Sequence, residues 1–146
     1  MGQAWGPLVA VMLSAWLVAL AAFDIRCRRL PNLLTLPGAA VILSGAALAG
    51  QGQAAVLGAA ALFAVYATVH LVAPAAMGAG DVKLALGVGG LTGAFGPAPW
   101  VVAALAAAAL TVMWAGVLAV RRTDASVPHG VSMCVGAAVV MVPALC

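Results

Sequence analysis

The sequence predicts an all-α polytopic membrane protein with about six transmembrane helices. Of its 146 residues, 66% are hydrophobic and 6% are charged, whereas a soluble domain carries about 25% charged residues. Apolar runs such as VVAALAAAALTVMWAGVLAV at 101–120 do not alternate with polar residues as the strands of a membrane β-barrel do. Because a helix needs about 20 apolar residues to cross a bilayer, six spans predict one membrane-embedded domain over 1–146, with no soluble domain.

Short polar loops separate the apolar segments. We predict spans at 5–23, 33–50, 54–73, 82–96, 98–120 and 129–145. The first span ends near an ALA triplet at 19–21 that is similar to a signal-peptide cleavage site. A signal peptide begins with positive residues, but here the positive sequence RCRR at 26–29 follows the span. We therefore predict a retained anchor.

The distribution of charge predicts the orientation of the spans. With the N-terminus outside, the cytoplasmic loops are 24–32, 74–81 and 121–128, and these loops and their edges hold every lysine and arginine. The basic residues are Arg26, Arg28, Arg29, Lys83, Arg121 and Arg122. Trp5 and Trp100 fall at outer ends, where interfacial aromatic residues are enriched. The net charge of +3 is therefore a topology signal and does not predict nucleic-acid binding.

All three acidic residues, Asp24, Asp81 and Asp124, fall on the predicted cytoplasmic side, and the chain has no glutamate. Asp24 ends the first span and Asp81 opens the fourth, so both are expected at the same depth on one membrane face. Placing an ionisable side chain at a span boundary costs free energy, so its presence there indicates a structural or functional role. This convergence is the strongest functional signal in the sequence.

Each aspartate also has a purely structural explanation. Asp24 and Arg28 are spaced i,i+4 and can pair on a helix surface, and Asp81 can be an N-cap that accepts backbone hydrogen bonds. Gly78 and Gly80 favour a functional explanation, because glycine allows a second backbone, such as an extended substrate, to approach closely. The fourth span, of about 15 residues, covers only about 22 Å, which would draw its aspartate below the membrane surface.

Two carboxylates held together at this depth would share one proton, because two like charges a few ångströms apart cannot both ionise easily. The charged member can take a proton from a water molecule while the protonated member polarises a carbonyl, which is aspartic protease chemistry. We expect Asp81 to be the charged member, because a helix N-terminus stabilises an anion. The reverse assignment stays open.

Three motifs resemble those of the prepilin leader peptidases, which are membrane aspartic proteases of bacteria. GAGDVKLAL at 78–86 is similar to the family motif GxGDxKL. FDIRCRRLPNLLTLPGA at 23–39 is similar to the second aspartate segment, in which Ile/Leu-Pro-Asn follows the aspartate. VPHGVSM at 127–133 is similar to a Pro-x-Gly segment near the C-terminal helix. The resemblance covers essentially the whole chain.

The resemblance implies an intramembrane aspartic endopeptidase that removes the basic leader from type IV or Flp-type prepilins at the cytoplasmic face of the bacterial inner membrane. The family's two catalytic aspartates correspond to Asp24 and Asp81, and Gly78 and Gly80 belong to the motif. Supporting motif positions are Lys83, Pro31 and Asn32. Family substrates carry a short basic leader that ends in glycine, followed by an apolar helix that stays in the bilayer.

Longer family members also carry a cysteine-based zinc insert and N-methylate the mature pilin. Here Cys27, Cys134 and Cys146 form no CxxC pair, so the chain resembles the short, peptidase-only forms of tight-adherence pilus systems. No metal, no other cofactor and no N-methyltransferase activity are therefore expected. The cysteines are interpreted as small apolar residues.

Several other residues have interpretations that the sequence leaves open. His70 and His129 lie near the cytoplasmic ends of the third and sixth spans, where each can join the site or cap a helix. Pro37 either kinks the second span beside Asp24 or occupies its first turn, which proline tolerates. Asp124, next to two arginines in RRTDAS, is interpreted as a solvated loop residue.

Two other classes of function compete with a peptidase. A proton-coupled small transporter is expected to carry polar residues and discontinuous helices near the bilayer midplane, whereas the span centres here are nearly pure Ala, Val, Leu and Gly. A non-catalytic membrane subunit of pilus assembly would tolerate Asp24→Asn and Asp81→Asn. A two-aspartate peptidase would not.

Overall fold

The computed structural model describes residues 6–145 and confirms the all-helical prediction, with six α-helices and no strand in that range. The helices are α1 (Pro7–Cys27), α2 (Asn32–Leu48), α3 (Gly52–Val72), α4 (Ala79–Ala94), α5 (Pro97–Val120) and α6 (His129–Leu145). By length and composition, α1, α3 and α5 can each cross a membrane, and α2 and α6 are shorter apolar helices. Trp5 and Cys146 lie outside the described residues.

α4 is the central helix of the bundle. Every residue from Gly87 to Ala94 is buried, and α2, α3 and α6 all pack against it. Its 16 residues extend over about 24 Å, so the helix is short as predicted. It begins at Ala79, three residues before the predicted start.

Glycines form the contact between α3 and α4. A Cβ on Gly89 would lie 2.6 Å from the carbonyl oxygen of Gly58, and a Cβ on Gly93 would lie 2.8 Å from that of Ala54. Small residues of this kind let membrane helices approach through their backbones. Trp100 packs on the same contact and donates from Nε1 to the Gly58 carbonyl at 3.0 Å. Its indole therefore has a packing role as well as the predicted position near a helix end.

Pro37 is the sixth residue of α2 and lies inside the helix, so the interpretation as a first-turn residue is wrong. The reason is that α2 already begins at Asn32, directly after Pro31. Pro37 lines an apolar groove of about 410 Å³ between α1 and α2. Across this groove the Trp16 indole donates to the carbonyl of Leu34 at 2.8 Å.

The helices form two groups. The Asp81 group consists of α2, α3 and α4, in which α4 packs most extensively on α3 and then on α2. The Asp24 group consists of α1, α5 and α6, in which α6 packs most extensively on α5 and then on α1. The end of the bundle where the loops 28–31 and 121–128 meet is called the aspartate end here, and Arg28 joins these loops by donating to the carbonyl and hydroxyl of Ser126.

Candidate active site

Asp24 is the polar end of an apolar stripe along α1. Leu13, Leu17 and Leu20 are buried, and their spacing of three and four residues places Asp24 on the same helix face. No glycine or proline interrupts the helix before Arg28, which ends it with a left-handed φ of 51°. Asp24 therefore lies inside the last turn, 8% exposed, rather than at the end of the span as predicted.

The beginning of α6 holds the Asp24 carboxylate. Its Oδ2 accepts a hydrogen bond from the backbone N–H of Val131 at 3.1 Å. Val131 is the third residue of α6, and N–H groups in a first turn have no partner within their own helix. Asp24 thus satisfies an N–H group of another helix. Arg28, the alternative partner for Asp24, donates instead to Ser126.

Asp81 is the third residue of α4, so the interpretation of Asp81 as an N-cap is wrong. Gly78 is the N-cap, and a Cβ on Gly78 would lie 3.6 Å from Asp81 Oδ2. Asp81 therefore occupies the position of the acidic residue in a capping box, the third residue of the helix. An acidic side chain in the first turn stabilises the start of a helix, and α4 accordingly starts before the predicted boundary.

The two carboxylates meet at Gly130 of α6. A Cβ on Gly130 would lie 2.9 Å from Asp24 Oδ2 and 3.4 Å from Asp81 Oδ1. Both oxygens therefore lie within 3.4 Å of one point and are separated by less than twice that distance. Gly130 is buried, and a side chain there would collide with Asp24. The structure thus brings together the two aspartates that the sequence places on different spans.

A pocket of about 280 Å³ opens beside both carboxylates, and Arg28, Arg29, Asn32 and Lys83 contribute to its polar lining. Lys83 Nζ donates to Asn32 Oδ1 at 2.9 Å. Two of the three supporting motif residues are therefore joined across the pocket. The third, Pro31, is the N-cap of α2 and starts the helix that carries Asn32.

The two motif glycines have different surroundings. A Cβ on Gly80 would lie 3.3 Å from Leu30 Cβ and 3.6 Å from the Leu30 backbone nitrogen. Gly80 therefore makes room for the chain's own loop. A Cβ on Gly78 would meet Asp81 Oδ2 at 3.6 Å, which is an ordinary contact distance. The close approach of a substrate backbone stays a prediction at Gly78.

The two histidines have different partners. His70 Nδ1 lies 2.6 Å from the carbonyl oxygen of Met77, so it ties the end of α3 to the loop that precedes α4. His129 is the first residue of α6. Its Nδ1 lies 2.6 Å from Thr111 Oγ1, and its Nε2 lies 3.0 Å from the Tyr66 hydroxyl. His129 therefore connects α6 to both α5 and α3.

Gly130, Val131 and Tyr66 are site residues that the sequence interpretation missed. Gly130 belongs to the Pro-x-Gly segment, which indicated a motif but not its partners. Tyr66 is the only tyrosine of the chain and lies in an apolar helix, which is a signal that could have drawn attention to it. The role of the Val131 N–H has no sequence signal, because any residue supplies that group.

Asp124 is exposed in the loop 121–128, as interpreted from the sequence. Cys27 is exposed and Cys134 is buried, and both are free thiols. Among residues 6–145, no three His, Cys, Asp or Glu side chains are grouped closely enough to hold a metal ion.

Comparison with known proteins gives one family. Residues 11–116 match the type IV leader peptidase family. This range includes both aspartates and the GAGD segment and ends before α6. No curated protein and no solved structure matches the chain.

Proposed function

Because the chain belongs to the type IV leader peptidase family, we propose that it is an aspartic endopeptidase that removes the basic leader from type IV or Flp-type prepilins. The observation that carries this proposal is the meeting of Asp24 and Asp81 at Gly130. The proposed location is the bacterial inner membrane, with the aspartate end at the cytoplasmic face. N-methylation of the product is not part of the proposed activity.

The proposed reaction uses the two carboxylates as an acid–base pair. One carboxylate takes a proton from a water molecule, which attacks the scissile carbonyl, while the protonated carboxyl group polarises the carbonyl oxygen. The Asp24 and Asp81 oxygens that lie within 3.4 Å of one point at Gly130 support this chemistry, because like charges near each other favour a state in which one of the two carboxyl groups keeps its proton. The reaction requires no metal ion.

Both carboxylates lie at helix N-termini. Asp24 accepts from Val131 in the first turn of α6, and Asp81 lies in the first turn of α4. Each of these helix starts stabilises an anion, but Asp24 also lies in the last turn of α1, where the negative end of the helix dipole opposes an anion. The two roles are therefore to be assigned by experiment.

The proposed substrate fits the position of the site. α1 and α5 expose large apolar side chains along their length, which is typical of helices that face lipid. A pilin helix in the same bilayer would carry the residues just before it to the aspartate end. The pocket beside Asp24 and Asp81 opens there, with Asn32 and Lys83 on its lining.

The buried polar residues favour a peptidase over a transporter. In the described chain they are Asp24, Thr35, Thr92 and Ser132. Thr92 donates to the Val88 carbonyl of its own helix at 2.8 Å, so it needs no transported ion or solute as a partner. The charged side chains cluster at one end, whereas a transport path is expected to place them near the midplane.

A cleavage assay in membranes tests the proposal. Wild type, Asp24→Asn, Asp81→Asn and the matched control Asp124→Asn are co-expressed with a prepilin, and leader removal is followed by gel shift. We expect Asp24→Asn and Asp81→Asn to lower the cleavage rate by at least about 1,000-fold, because removal of one member of a catalytic unit abolishes most of its effect. Asp124→Asn should cut like wild type.

The alternatives predict different outcomes. If the wild type leaves the precursor uncut, the peptidase proposal fails. If either Asp24→Asn or Asp81→Asn still cuts efficiently, the pair is not catalytic. A non-catalytic assembly subunit would leave the precursor uncut in every lane and still support pilus assembly in both variants.

A further inference from the structure

A hydrogen-bonded chain crosses from one helix group to the other beside the aspartates. Tyr66 of α3 lies 3.0 Å from His129 Nε2, and Thr111 of α5 lies 2.6 Å from His129 Nδ1. The Thr111 hydroxyl lies 2.9 Å from the carbonyl oxygen of Ala107, one turn earlier in α5. Tyr66 is 8% exposed, and His129 and Thr111 are half-buried.

The Ala107 carbonyl oxygen, at one end of the hydrogen-bonded chain, indicates the direction of the hydrogen bonds. A carbonyl oxygen can only accept, so the Thr111 hydroxyl donates its one proton to Ala107. The Thr111 oxygen then accepts from His129 Nδ1–H. In a neutral imidazole this leaves Nε2 without a proton, so Nε2 accepts from the Tyr66 hydroxyl. With the Thr111 proton directed to Ala107, the contacts correspond to the Nδ1–H tautomer of His129.

The hydrogen-bonded chain links α3 and α5, which belong to different helix groups. Tyr66 lies in α3, which packs most extensively on α4, the helix of Asp81. Thr111 lies in α5, which packs most extensively on α6. His129 therefore fixes the start of α6 against both groups at the level of the carboxylates.

The residues next to His129 contact the aspartates directly. Gly130 lies against both carboxylates, and the Val131 N–H donates to Asp24. A small shift of the α6 N-terminus would change the distance between Asp24 and Asp81, and misplacement by about 1 Å can cost about 100-fold in rate. We propose that His129, as the Nδ1–H tautomer between Tyr66 and Thr111, is a positioning residue that sets the spacing of Asp24 and Asp81. This role rests on the proposed peptidase function.

The first experiment reads the tautomer and does not depend on activity. Histidine is labelled with ¹⁵N in the full chain in lipid nanodiscs, and the His129 signals are assigned by their loss in His129→Asn. We expect a protonated Nδ1 and an unprotonated Nε2. Tyr66→Phe should change the ¹⁵N chemical shift of Nε2, and Thr111→Val should change that of Nδ1.

The matched control for the NMR experiment is Thr92→Val, because the Thr92 hydroxyl donates within its own helix. This variant should leave both His129 signals unchanged. A protonated Nε2, or signals that do not respond to Tyr66→Phe and Thr111→Val, would overturn the proposal.

The second experiment measures kcat and KM for prepilin cleavage. Tyr66→Phe removes one hydrogen bond of the chain and Thr111→Val removes two. We expect each to lower kcat about tenfold with KM nearly unchanged, because neither residue lines the pocket. His129→Leu should lower kcat by a larger factor, because it removes the hydrogen bonds to both Tyr66 and Thr111. His129→Asn should recover part of that loss, because its amide can still donate towards Thr111.

Each kinetic outcome has one meaning. Full activity of His129→Leu, or no difference between His129→Leu and His129→Asn, overturns the positioning role even if the tautomer is correct. If wild type and all variants leave the precursor uncut, the peptidase proposal fails, and the positioning role fails with it. The NMR result then decides only whether the hydrogen-bonded chain from Tyr66 through His129 to Thr111 exists.

Discussion

Glycines have different roles in the middle of the bundle and at its aspartate end. In the middle, Gly89 and Gly93 of α4 face the backbone of α3 at Gly58 and Ala54, so the missing side chains make room for another helix. At the aspartate end, Gly130 faces two carboxylates, so the missing side chain makes room for acidic groups. The first contact stabilises the fold, and the second shapes the candidate site.

The difference explains how one short helix can hold the Asp81 carboxylate in place. The α3–α4 contact holds α4 through backbone atoms, which cannot change rotamer. Asp81 at the start of α4 is therefore carried by a rigid element, as a precise site requires. Asp24 depends on side-chain and capping contacts with α6, so its position is the more sensitive to substitution.

Among substitutions that test this comparison of glycines, Gly130→Ala is expected to have the largest effect. The new methyl group would lie 2.9 Å from Asp24 Oδ2, so the carboxylate must leave the Val131 N–H. We expect cleavage to fall about 100-fold with the thermal unfolding midpoint nearly unchanged, because a side chain can move aside. Measurement of both quantities on one preparation tests this, and equal cleavage by variant and wild type would contradict it.

Gly89→Ala is expected to act on stability instead. Its methyl group would lie 2.6 Å from the Gly58 carbonyl oxygen, and overpacking of this kind costs about 1–3 kcal/mol. The unfolding midpoint in detergent should fall, and the remaining folded protein should cleave normally. The matched control is Gly116→Ala, where nothing lies within 4 Å of the added methyl group. An unfolding midpoint of Gly89→Ala at or above that of Gly116→Ala would refute the backbone contact.

The smallest effect concerns the Lys83–Asn32 hydrogen bond of 2.9 Å at the pocket. Lys83→Met, Asn32→Ala and the double variant form a cycle for kcat/KM. We expect a coupling free energy of about 0.2–1 kcal/mol, because the pair is exposed to solvent. Additive effects of the two substitutions would show that the bond does not contribute to cleavage.

Much of the fold could be predicted from local sequence. Apolar runs and the polar segments between them predict six helices, and the sixth begins at His129 as predicted. The start of α4 was misplaced because the helix, with Gly78 as its N-cap and Asp81 in its first turn, begins within residues whose sequence is typical of a loop. The end of α1 was misplaced because a change in hydropathy after Phe23 does not interrupt backbone hydrogen bonding, which continues to Arg28.

The site could be predicted only in part. Asp24, Asp81, Asn32 and Lys83 lie in short segments that resemble family motifs, so the sequence alone could single them out. The contact of both carboxylates with Gly130 could not be derived in the same way, because a buried glycine in an apolar helix is common in membrane proteins.

The sequence by itself determined the helical membrane architecture, which follows from composition and local spacing. It also placed Asp24 and Asp81 in motifs that resemble those of one peptidase family. Only the tertiary structure decided that Asp24 and Asp81 meet at Gly130, and that His129 joins Tyr66 to Thr111 beside them. Those contacts connect residues on different helices, and their distances are set by how closely the backbones of the bundle pack.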